Sequence, residues 1–141
     1  MANPGPSTTV TIHPSNLASN QAIRLIAVLV GANLGQGNNT DLVIPVQNTT
    51  NFSVSNVIVT NASTSLSSAT IGLYPAANAQ GTAIVAGATA LSANTGATVV
   101  NQLTVASTAT QAEQYLYVRI GTAQAATADI YVYGYDFSNY S

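Results

Sequence analysis

Chemistry needs ionisable or nucleophilic side chains, and this chain of 141 residues carries few of them. Arg24, Arg119, Asp41, Glu113, Asp129 and Asp136 are its only full charges, and His13 is its only imidazole. There is no lysine and no cysteine. A Ser-His-Asp hydrolase needs a positioned imidazole base. His13 stands before Pro14 in a stretch that reads as an extended leader, so a surface histidine is the simpler reading. A glycosidase needs two carboxylates flanking a cleft. The four acids offer pairs on paper, but no motif surrounds any of them. A phosphate-cradling loop that ends on lysine is excluded by composition. So are cysteine nucleophiles, disulfides and multi-histidine zinc. The run Gly35–Asp41 offers oxygens for calcium but one carboxylate, so a turn held by Asn and Asp side chains fits better. Asn-x-Ser/Thr triplets at Asn38, Asn48, Asn51, Asn61 and Asn139 are what a chain rich in these residues produces by chance. The expectation is a protein that is not an enzyme, with no catalytic residues, no metal and no cofactor.

The remaining candidates are aromatic. Tyr115, Tyr117 and Arg119 alternate with Leu116, Val118 and Ile120; Asp129, Tyr131, Tyr133 and Tyr135 alternate with Ile130 and Val132. Strand side chains point to opposite faces in turn, so each segment has one apolar face and one tyrosine face. A hairpin through residues 121–128 would bring the two tyrosine faces together and set Arg119 beside Asp129. Two readings follow. One is a structural ladder of cross-strand aromatic pairs, each contributing about 0.2–1 kcal/mol, closed by an Arg119–Asp129 ion pair. The other is a flat patch of Tyr115, Tyr117, Tyr131, Tyr133 and Tyr135 used as a protein interface, where tyrosine is enriched.

The elements that must position these residues also read as strands. Threonine and valine are frequent, and their branched Cβ suits a pleated surface. Short apolar clusters recur between Gly, Asn, Pro and Ser signals. Strands are predicted at Thr9–Ile12, Ile23–Val30, Leu42–Gln47, Phe52–Thr60, Ala69–Tyr74, Thr82–Val85, Val99–Val105, Tyr115–Ile120 and Asp129–Tyr135. Such spacing suggests an all-β, antiparallel sandwich or barrel. Parity in Phe52–Thr60 changes midway: Phe52 and Val54 share one face, Val57 and Val59 the other. A bulge near Ser55-Asn56 would repair it. Pro45 points to an edge strand, because proline donates no ladder hydrogen bond. The alanine-rich stretch from Gly81 to Ala97 lacks helical periodicity and reads as short strands and loops. The organisation expected is an extended arm or flexible leader over residues 1–20 and one β-sandwich domain over residues 21–141.

Charge makes up 4% of the chain where about 25% is usual. Nucleic acid is not expected as a partner, because no basic patch exists to release its counterions. Membrane is not expected either. The longest apolar run, Leu25–Val30, is far short of the ~20 residues of a spanning helix. The amino terminus has neither a basic region nor an apolar one, so no secretory signal is read and a cytoplasmic origin is expected. Natural sheets guard their edges with charge, and near-zero net charge favours association. A subunit covered by neighbours suits such a composition. With Arg119 and Asp129 paired, Arg24, Asp41, Glu113 and Asp136 would remain for charged contact with a partner.

Several stretches carry a resemblance. They are Phe52-Ser53-Val54 leading to Val57-Ile58-Val59-Thr60-Asn61-Ala62-Ser63, then Gly72-Leu73-Tyr74 and Gly81-Thr82-Ala83-Ile84-Val85. Leu116-Tyr117-Val118-Arg119-Ile120-Gly121-Thr122-Ala123-Gln124 and Ala128-Asp129-Ile130-Tyr131-Val132-Tyr133-Gly134 complete the set. In this order the chain from about Thr40 to Asp136 resembles small head accessory proteins of tailed bacteriophages, the capsid decoration or cement proteins. The resemblance implies a jelly-roll-like sandwich and a virion structural role on the outer capsid surface, made in the cytoplasm of a bacterial host. It implies the major capsid protein as partner and a homo-oligomer, with a trimer favoured. Two alternatives stay open: a carbohydrate-type ligand-binding sandwich that uses the tyrosines as stacking platforms, and a tail or fibre component.

Overall fold

A computed structural model describes residues 23–138. The predicted strand Thr9–Ile12 and the arm over residues 1–20 lie outside the described residues. Eight strands follow one another: β1 (Arg24–Asn33), β2 (Thr40–Pro45), β3 (Phe52–Thr60), β4 (Thr70–Tyr74), β5 (Val85–Ala90), β6 (Val100–Leu103), β7 (Tyr115–Thr122) and β8 (Thr127–Asp136). They form two four-stranded antiparallel sheets packed face to face as a β-sandwich, as the strand spacing predicts. The first sheet has the order β1-β8-β3-β6 and the second β2-β7-β4-β5. The pairings β1–β8, β2–β7, β3–β6 and β4–β5 are nested, each inside the one before, as in a long ribbon doubled back at β4–β5. The β3–β8 and β4–β7 pairings join the ribbon to itself.

Burial follows the pleat. Leu116, Val118 and Ile120 of β7 and Ile130 and Val132 of β8 are at most 1% exposed, and all face the space between the sheets. In β3 the register slips between Val54 and Asn56. Ser55 is thus the extra residue of a bulge, and Phe52, Val54, Val57 and Val59 all reach the core. The same sheet shows why Gly134 is a glycine. It lies where β8 passes the bulge, and a Cβ there would collide with the Ser53 carbonyl.

Pro45 ends β2, which is an edge strand. Its neighbour β1 is the edge of the other sheet. The two edges are tied by a bridge between Ala27 and Val46 and by the Gln47 N–H donating to the Ile26 carbonyl at 2.8 Å. Backbone pairing therefore covers part of the edge that charge leaves unguarded.

Two expectations need correction. Thr82–Val85 is not the strand of the alanine-rich region. β5 begins at Val85 and runs through Ala90, while Ile84 is buried and holds Leu73 by a backbone bond of 2.8 Å. A local bulge at Gly87-Ala88, where Ala88 has a φ of 61°, lets the strand continue past the break in its pattern. More consequential is the link between β7 and β8. It is not a hairpin, because β7 belongs to the second sheet and β8 to the first. The connection crosses from one layer to the other. Leu34 N–H donates to the Ala126 carbonyl at 2.9 Å and Gln124 N–H to the Leu34 carbonyl at 3.0 Å, so the crossing is held by the β1–β2 loop.

Candidate functional site

Crossing between layers separates the tyrosines that a hairpin would have joined. Tyr131, Tyr133 and Tyr135 stand on the outer face of the first sheet, opposite the buried Ile130 and Val132. Tyr115 and Tyr117 stand on the outer face of the second sheet. The two sets look away from each other across the whole sandwich, and the single five-tyrosine patch does not form. Instead there are two aromatic faces on opposite sides of the molecule.

Each face has its own construction. On the first, the Tyr131 and Tyr133 rings lie 6.5 Å apart and 20° from parallel, as two residues apart on one strand allows. Tyr135 and Phe137 repeat the arrangement at 6.4 Å and 14°. Register sets Leu25 beside Tyr133 and Val28 beside Tyr131 on β1, with Asn56 and Ile58 beside the same tyrosines on β3. On the second face, Tyr74 of β4 stands directly across from Tyr117, and Val43 and Pro45 of β2 flank Tyr117 and Tyr115. Tyr74 extends over Gly72 and Gly87, where an added Cβ would strike its ring or hydroxyl. The aromatic alternation that marks β7 and β8 is absent from the short Thr70–Tyr74 segment, so sequence reasoning missed Tyr74.

The ion pair differs as well. Arg119 does not meet Asp129. It donates to Asp41 Oδ1 at 3.1 Å, with the two side chains 20% and 14% exposed. The reason is register: Asp41 is the direct cross-strand neighbour of Arg119 on the outer face of the second sheet. Asp41 Oδ2 also accepts from the Asn78 N–H at 2.7 Å. Asp129 lies in the other layer, 8% exposed, and accepts from the Gly31 N–H at 2.8 Å and from Asn61 Nδ2 at 3.0 Å. Gly31 reaches it from a break in the β1 register with a φ of 69°, a conformation that glycine adopts without strain. A glycine inside an apolar strand run is a bulge signal, so this partner had a trace in the sequence.

The second ion pair joins the two ends of the described chain. Arg24 Nε lies 3.6 Å from Asp136 Oδ2, and an Arg24 terminal nitrogen donates to the Gln47 carbonyl at 2.7 Å. Asp136 Oδ1 accepts from Thr49 Oγ1 at 2.6 Å, from Ser138 Oγ at 2.6 Å and from the Ser138 N–H at 2.9 Å. Burial pushes the Asp136 carboxyl up, but the Ser138 and Thr49 hydrogen bonds and the Arg24 charge together outweigh it. They hold the group below its ordinary value of 3.8.

These partners change the inventory of charge open to other molecules. Arg24, Asp41 and Asp136, expected to be free for a partner, are engaged within the chain. Glu113 accepts from the adjacent Ala112 N–H at 3.0 Å and faces no opposite charge among the described residues. Among those residues no pocket opens, and no three His, Cys, Asp or Glu side chains gather as a metal site would need. What the arrangement offers is contact area: two aromatic, nearly uncharged sheet faces pointing in opposite directions. Comparisons with family models, curated proteins and solved structures find no match for this chain.

Proposed function

We propose that this chain is a virion structural protein, a capsid decoration or cement protein that binds the outer capsid surface and stabilises the shell. The observation that carries the reading is the placement of its aromatics. All six described tyrosines stand on outer sheet faces, three on each side of the sandwich, while Phe52 is the only buried aromatic side chain among the described residues. Aromatic side chains are large hydrophobic groups that favour burial, and tyrosine is enriched where proteins meet. A small subunit with such faces on opposite sides is suited to bridging two neighbours.

The nested strand order supports a jelly roll, with β1-β8-β3-β6 over β2-β7-β4-β5. Viral capsid and lectin domains both use that architecture, so the fold narrows the class without naming the function. In this reading the partner is the major capsid protein, the subunit is a homo-oligomer, with the trimer taken from the resemblance, and synthesis occurs in the bacterial host. Adhesion adds interface area between subunits and lowers the free energy of the assembled shell by mass action.

Electron microscopy of whole virions, labelled with an antibody raised against the chain, tests this. Label distributed over the head is the expected result. Label on the tail would transfer the chain to a tail or fibre role, and unlabelled particles would end the virion reading. The tyrosine faces also favour one reading of another class, a carbohydrate-binding module. Sugar stacking commonly uses tryptophan, which this chain lacks, and specific hits on a glycan array would bring that reading forward.

A further inference from the structure

The outward positions of an exposed antiparallel sheet are normally polar, alternating with an apolar inner set. The first sheet departs from this. Across its centre run Leu25, Val28, Ile58, Tyr131 and Tyr133 on three adjacent strands, and Val100 on β6 is 63% exposed at its far edge. The one full charge among its outward positions, Asp129, is 8% exposed and already accepts two hydrogen bonds, while Arg24 and Asp136, the other charges of the sheet, pair with each other at its end. We propose that this face is where neighbouring copies of the chain bind one another. The inference rests on the structural-subunit reading and names one partner within it.

Charge identifies the occupant. A strongly charged partner would lose hydration against this face and find no counter-charge, which costs affinity. The matching surface must itself be neutral and rich in apolar and hydroxyl groups. A second copy supplies one: five of the six full charges of the chain are held by hydrogen bonds or ion pairs within it, and among the described residues Glu113 has no such partner beyond its neighbouring N–H. The opposite face is less suited, because the Arg119–Asp41 pair lies within it and would have to be buried in the contact.

Area is sufficient. Four strands about 4.8 Å apart, each rising about 3.3 Å per residue over roughly eight residues, span roughly 19 by 26 Å. That is about 500 Å² before side-chain relief, and a specific interface must clear about 500 Å² on each partner.

Analytical ultracentrifugation of the full chain tests the proposal, with Tyr131→Lys, Val100→Lys and, on the opposite face, Tyr117→Lys. Circular dichroism and thermal melting confirm that each variant folds. Val100→Lys is the safer substitution, since its side chain is mostly in solvent. The expected result is an oligomer for the parent chain and for Tyr117→Lys, with dissociation constants raised at least about tenfold by Tyr131→Lys and Val100→Lys. A parent chain that stays monomeric up to about 100 μM, where even weak association registers, overturns the proposal. So does an oligomer that the first-face substitutions leave intact. A monomer whose melting point falls with Tyr131→Lys and Val100→Lys would assign the face to another segment of the same chain, and also overturns it. A monomer still found on virion heads would sink self-association alone. A stable oligomer absent from virions would sink the virion role alone.

Discussion

Whether Arg119 serves Asp41 or Asp129 can be measured as a coupling energy. The perturbation is a double-mutant cycle over Arg119→Ala and Asp41→Ala, with a second cycle over Arg119→Ala and Asp129→Ala as reference. The Arg119–Asp41 contact is a 3.1 Å charged hydrogen bond between side chains that are 20% and 14% exposed. Hydrogen bonds to charged groups contribute about 1.5–3 kcal/mol, above the ~0.2–1 kcal/mol of a solvated surface pair. The first cycle should therefore return a coupling of about 1.5–3 kcal/mol. Asp41→Ala also frees the Asn78 N–H, but that loss occurs in both Asp41 variants and cancels in the cycle. The reference cycle should return less than about 0.5 kcal/mol, because its two residues stand in different layers and share no partner. Urea unfolding at neutral pH gives all the free energies required, provided the denaturant slope is unchanged among variants. A larger coupling for Asp129 than for Asp41 would refute the register that pairs β2 with β7, and with it the separation of the tyrosines.

Other substitutions probe the same architecture. Phe52→Ala empties the site of a fully buried ring and should cost about 3–5 kcal/mol in urea unfolding. Gly134→Ala drives a methyl against the Ser53 carbonyl and should destabilise by more than about 2 kcal/mol, read as a lower unfolding midpoint or loss of soluble protein. Acid titration isolates Asp136. Its carboxyl lies below 3.8 in the folded chain, so the unfolded chain binds the proton first as pH falls. Its contribution is complete above the unfolded value and is lost as pH falls through the folded one. The stability gap between the parent chain and Asp136→Asn should thus be constant near neutrality and narrow below about pH 4. A gap that widens on acidification would refute the assignment.

Alternation made much of the molecule legible. The period of two in Tyr115–Ile120 and Asp129–Tyr135 assigned the buried and outward sets on both strands, and Phe52–Thr60 disclosed its bulge by changing parity. Pro45 disclosed an edge. These are local signals, because backbone geometry alone sets which way successive side chains point. The alanine-rich region was less legible: methyl side chains carry little apolar contrast, and β5 began three residues after its predicted start.

What the sequence by itself determined is therefore the class of element, the face of each residue, and a chain nearly empty of charge. Tertiary structure decided which faces and charges meet. Four residues link β7 to β8, enough for a hairpin, yet the strands lie in different sheets because β1 and β3 take both edges of β8 while β2 and β4 take both edges of β7. Strand pairing is a competition among distant partners, and no local pattern states its outcome. It gave Arg119 an acid 78 positions away, gave Asp129 a glycine amide 98 positions away, and turned one expected tyrosine patch into two opposed faces.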